Sequence, residues 1–144
     1  MTLVDAVADP DRRARIARDA VGEAEAAVRS RPGLRGMASR MGLETINRLR
    51  PDFLARQVEH LLPAWADAVD PWWAEGLQNG DAPGWLNRHA DEIARALLDV
   101  TDQHVETAED EAAVEVYRHL REVAPDRIAA EMPRISRFVD RWAD

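Results

Sequence analysis

The chain has no cysteine, and all 19 of its basic residues are arginine. Without cysteine there is no disulfide framework, no thiolate nucleophile and no cysteine-based zinc site. Without lysine there is no Schiff-base lysine and no P-loop lysine. Aromatics are sparse, with five Trp, two Phe and one Tyr. The longest apolar runs are a few residues, against the ~20 needed to span a membrane, so no membrane association is expected. The N-terminal stretch "MTLVDAVADPDRR" has no basic region ahead of an apolar run. No signal peptide is therefore expected, and a cytoplasmic location is. Strand alternation is missing as well. Asn79-Gly80 is a hairpin dipeptide, but helical patterns flank it.

What is present suits one globular domain. The chain has 144 residues, 46% apolar and 32% charged. That length buries roughly 70% of the surface its unfolded chain exposes. The net charge of −8 is uneven. Residues 1–72 carry 11 acids and 11 arginines, whereas residues 73–144 carry 16 acids and 8 arginines. Segment 99–115 holds seven acids and no arginine, and segment 29–56 holds seven arginines against Glu44 and Asp52. Each segment reads either as a solvated helix face or as half of a contact, within one chain or between two. The acidic whole and the lack of a basic-aromatic module disfavour nucleic acid.

The apolar spacing predicts an all-α, single-domain bundle of six to eight helices, several kinked or restarted at prolines. Thr2 caps a short helix over 3–8, and Asp9-Pro10 starts a second that ends near Ser30. Ile16, Ala20, Ala24, Ala27 and Val28 form its apolar side. A third helix is expected over 34–49. Pro51 starts a fourth, with Pro63 a kink or a restart and Asp70-Pro71 a further start signal. "QNGDAPG", residues 78–84, is the clearest loop. It joins two sub-halves of residues 1–144, about 1–78 and 83–144. After it, a helix is expected to be capped near Asn87, with a stripe of Ile93, Ala94, Leu97, Leu98 and then Val100 or Thr101. Thr107 with Asp110 resembles a capping box. Ala124-Pro125 restarts the chain, and Pro133 bends the final stripe of Ile128, Met132, Ile135, Val139 and Trp142.

These residues carry a resemblance. "GLRGMASRMGLETINRLRPDFLARQVEHLLPAWADAVDPWW" is similar to the middle of an actinobacterial family of small all-helical proteins, known only as a domain of unknown function. The shared pattern is Gly-Leu-x-Gly, a helix, an x-Pro step, Leu-Leu-Pro and Asp-Pro-aromatic-Trp. "LLDVTDQHVE" and "VYRHLREVAPDRIAAEMPRISRFVDR" resemble its C-terminal half. The resemblance covers about residues 30–142, without the helix over 10–30. Arginine stands here where such proteins more often have lysine, in keeping with GC-rich coding. The resemblance implies a helical fold and brings no reaction, cofactor or catalytic residue.

The four histidines, His60, His89, His104 and His119, form no Glu-x-x-His, His-x-x-x-His or His-Glu-x-x-His unit. No metal, cofactor or catalytic residue is assigned. Asp102 reads as a brace for the following helix or as a functional carboxylate. Trp65 and Trp142 read as core. Trp72 and Trp73 stand ~100° apart on a helix, so only one can point fully inward. Trp73 is expected inward with Leu77, and Trp72 half-exposed against Trp85, the loop or another chain. The candidate ligand or partner residues are thus Trp72, Trp73, Trp85, Asp70 and Asp102. The leading function is a non-enzymatic interaction or structural protein that associates with itself or another protein. The alternative is a small-molecule-binding protein or enzyme with a pocket near the three tryptophans.

Overall fold

A computed structural model describes residues 2–30 and 52–143. Among them are eight helices and no strand, an all-α bundle. The expected helix over 34–49 and all but Arg56 of the arginine-rich segment's basic residues lie outside the described residues or have undescribed side chains. The helices are α1 (Leu3–Ala6), α2 (Pro10–Ser30), α3 (Phe53–Gln78), α4 (Ala82–Arg88), α5 (Ala90–Glu106), α6 (Glu111–Arg121), α7 (Ala124–Ala130) and α8 (Met132–Ala143).

Helix α3 is the spine, and α1, α2, α4 and α5 all pack against it. It does not stop and restart at either proline, so neither the restart expected at Pro63 nor the start expected at Pro71 occurs. Pro63 and Pro71 both lie on its exposed side, while Leu61, Ala66, Val69, Trp73 and Gly76 are buried on the other. An interior proline costs about 3 kcal/mol. Burying a large apolar side chain gives back roughly 1.5–3 kcal/mol, and Leu61, Val69 and Trp73 together offset both prolines.

The link from α3 to α4 is only three residues, Asn79–Asp81, so the expected loop is shorter than 78–84. Gly80 takes φ +78°, and the N–H groups of Gly80 and Asp81 bond back to the carbonyls of Leu77 and Gly76 at 3.1 and 3.0 Å. This left-handed closure is open to glycine at no steric cost. Asp81 then caps α4, accepting from the Gly84 N–H at 3.0 Å. The cap expected near Asn87 belongs to the next helix, α5, and stands two residues later, at His89. Asn87 instead holds the buried Ser136 hydroxyl at 2.9 Å, tying α4 to α8.

Asp9 caps α2 as read, accepting from Arg12 N–H at 2.9 Å. Ile16, Ala17 and Ala27 form its buried side, and Ala24 is exposed. The 107–110 link also differs from its reading. Thr107 ends α5, donating its hydroxyl to the His104 carbonyl at 3.0 Å, and does not start α6. The chain breaks once more at Glu131, leaving Pro133 in the first turn of α8, where its missing N–H costs nothing. The core gathers Leu3, Val7, Ile16, Ala66, Val69, Trp73, Leu86, Ile93 and Met132 from six helices and the turn after α1.

Candidate functional site

Asp70 is spent on structure. Its carboxylate accepts from the Leu3 N–H at 2.8 Å and the Val4 N–H at 3.5 Å. It thus serves as a second cap for α1, beside Thr2, which accepts from Asp5 N–H at 3.0 Å. The Asp-Pro step that reads as a helix start is a mid-helix residue capping a different helix.

Trp73 is 3% exposed, and Trp72 is half-buried against the core. Leu77 does not accompany Trp73, because it is 54% exposed. Gly76 takes that place: α4 turns back over its side of α3 and leaves Leu77 uncovered. A Cβ built on Gly76 would lie 2.6 Å from Ala82 Cα and 2.9 Å from Trp85 Cβ. Trp85 is thus brought against α3, and its ring lies 4.7 Å from that of His89. The indole N–H groups of Trp73 and Trp85 are buried without an acceptor among the described residues. Trp65 and Trp142 are half-buried, Trp142 packed against the rim of the core. Trp65 Nε1 donates to Thr101 Oγ1 at 3.0 Å and Trp142 Nε1 to Asp19 at 3.2 Å. Polar indole tips need such partners, which draws the rings toward the surface.

Asp102 stands apart from the tryptophans, at the corner of α5 and α6. Arg121 grips it with Nε at 3.0 Å and Nη2 at 3.1 Å, and the Tyr117 hydroxyl donates to it at 2.5 Å. The Arg121 bonds hold the Asp102 carboxyl below its ordinary value of 3.8, against a smaller desolvation effect. Burial, then the Asp102 carboxylate, pushes the Tyr117 phenol well above its ordinary value. Asp102 therefore braces α6 through two of its side chains.

Two surface clefts flank α2. One, of about 290 Å³, is lined by Arg18, Asp19, Glu23 and Arg141. Its charges are largely matched: Arg141 and Arg134 reach Glu23 at 3.3 and 3.8 Å. The other, of about 350 Å³, lies between α2 and α3 and is lined by Arg13, Arg56, Glu59, His60 and Pro63. Arg13 donates to the Val7 carbonyl at 3.2 Å. The His60 ring lies 4.9 Å from the ring of His104 on α5, whose Nε2 is 3.2 Å from Gln57 Oε1. Burial, then the charge of His60, lowers the His104 pKa below 6.5. The sequence reading missed this cleft. The i, i+4 spacing of Arg56 and His60 was visible, but Arg13 and His104 join them only through packing.

No group of three or more His, Asp or Glu side chains among the described residues is placed to hold a metal ion. No described helix is long and apolar enough to cross a membrane. Comparison with curated proteins and with solved structures finds no significant match. A family described as a family of unknown function (DUF6918) matches residues 3–143, and so takes in α1 and α2 as well as the stretch that carries the resemblance.

Proposed function

The chain belongs to this family of unknown function, and from that premise we propose that it is a non-enzymatic interaction protein that works by associating with itself in the cytoplasm. One observation carries the reading. Of the seven acids in segment 99–115, Asp99, Glu106, Glu109, Glu111 and Glu115 are exposed, while Asp102 turns to Arg121. Like charges crowded at one end of a small bundle repel, and a cationic partner surface relieves them. The candidate carboxylates Asp70 and Asp102 are committed to an amide cap and an ion pair, which supports binding over acid–base chemistry.

Sedimentation velocity and light scattering over a range of protein and salt concentrations test this reading. A dimer or larger species that weakens with added salt is expected. A monomer at high protein concentration and low salt overturns it.

The second reading, a small-molecule-binding protein, is favoured by the buried Trp73 and Trp85 N–H groups, which have no acceptor among the described residues. A buried donor left unpaired costs about 1–3 kcal/mol, and a ligand acceptor reaching either indole recovers it. Tryptophan fluorescence against a metabolite panel tests it, and an unchanged spectrum throughout removes it.

A further inference from the structure

We infer that the cleft between α2 and α3 is the receiving half of this self-association, and that it takes carboxylates of segment 99–115 from a second copy of the chain. The inference rests on the self-association reading.

The lining chemistry comes first. Arg13 and Arg56 place two permanent cations at the cleft, with His60 one helical turn from Arg56 and Glu59 the single opposing charge among the described lining residues. Of those residues only Pro63 is apolar, unlike the greasy wall of a typical small-molecule pocket. Arg13 is anchored by one bond to the Val7 carbonyl and keeps its other donors. Arg56 is exposed and makes no ion pair among the described residues. The cleft on the other side of α2 differs, because Glu23 there already pairs with Arg141 at 3.3 Å.

Position comes second. His60 at the cleft meets His104 of α5. From His104 the chain runs directly into Glu106, Glu109 and Glu111, all exposed. The acidic segment therefore begins two residues beyond a side chain that touches the edge of the cleft. Complementary patches that make no ion pair with each other among the described residues suit a two-fold dimer, in which each cleft takes the other copy's acids and every contact occurs twice. Exposed ion pairs contribute only about 0–1 kcal/mol each, so the doubling matters. The association is also salt-sensitive, since screening acts within roughly 10 Å.

Complementary charge reversal tests this by sedimentation. One variant carries Arg13→Glu and Arg56→Glu; the other carries Glu106→Arg, Glu109→Arg and Glu111→Arg. Each alone is expected to associate about tenfold or more weakly than the unmodified chain. An equimolar mixture is expected to associate again, since the reversed cleft meets the reversed acids. Circular dichroism checks folding, and if the double variant unfolds, exposed Arg56→Glu alone carries the test. An unmodified chain that associates while the cleft variant associates equally well overturns the cleft and leaves self-association standing. Loss in both variants without recovery on mixing overturns their pairing. An unmodified chain that stays monomeric overturns both readings. If inorganic phosphate then shifts the NMR signals of Arg56 and His60, the cleft takes a free anion instead.

Discussion

Two glycine-to-alanine substitutions are expected to shift stability in opposite directions. Gly22 lies exposed in the middle of α2, and a Cβ added there meets nothing within 4 Å. Alanine restricts the unfolded chain and favours the helix, by about 0.5–1 kcal/mol. Gly76 is also helical, so the same local gain applies. There, however, the new Cβ would stand 2.6 Å from Ala82 Cα and 2.9 Å from Trp85 Cβ. Carbon atoms in contact prefer ~3.5–4.0 Å, so α4 must retreat by about 1 Å. Ala82 is met at its backbone and cannot yield by rotating a side chain. Retreat also disturbs Leu86, which is fully buried, and the Asn87–Ser136 bond. Overpacking of this kind costs about 1–3 kcal/mol, which exceeds the helix gain. For a chain of this size 1 kcal/mol moves Tm by roughly 3 °C. Gly22→Ala should raise Tm by about 2–3 °C and Gly76→Ala should lower it by about 3–6 °C. Thermal unfolding followed by far-UV circular dichroism reads both. If Gly76→Ala raises Tm as Gly22→Ala does, α4 does not cross α3 at this point, and the account of the α3–α4 turn is wrong.

Asp70→Ala removes the side-chain acceptor for the first amides of α1, at about 1 kcal/mol. Hydrogen exchange at Leu3 and Val4 should accelerate, while Asp70→Asn, which keeps one acceptor, should retain part of the protection. Tyr117 is the only tyrosine in the chain, so tyrosinate absorbance reports it alone. Its raised pKa contributes stability that is fully present below the unfolded value of about 10 and lost as pH rises above it. Ionisation should therefore come late and coincide with unfolding; an ordinary titration in the folded chain would remove the Tyr117–Asp102 bond. His104 has a lowered pKa, so its contribution is present above 6.5 and lost as pH falls through its folded value. Tm of the unmodified chain should drop on acidification below that pH, and His104→Gln should flatten the drop.

The parts of the fold legible in the sequence share a short range. Asp9 capping α2, the turn at Gly80, the restart at Ala124-Pro125 and the Ile93, Ala94, Leu98 stripe all depend on residues within a few positions of one another. The misreadings share a different feature. Asp70-Pro71 carries a start signal, yet Asp70 caps a helix 67 positions earlier in the chain. Thr107 has the spacing of an N-cap but closes the helix before it. The same local chemistry serves either end, and packing selects which. At the candidate surfaces, the acidic character of 99–115 was plain from composition. That Asp102 turns to an ion pair was not, because its partner Arg121 lies 19 positions on.

By itself the sequence determined the helical class, the main buried stripes and the caps at Thr2 and Asp9. Periodicity of 3.6 residues and capping within three residues are properties of consecutive positions. Only tertiary structure decided that α3 runs unbroken through two prolines, that Gly76 and not Leu77 lies beside Trp73, and that His60 and His104 stand together near Arg13 and Arg56. Each outcome turns on which distant surface covers a residue. Burial summed along α3 outweighs a local helix-breaking cost, and contacts between helices follow from packing that no short window of sequence contains.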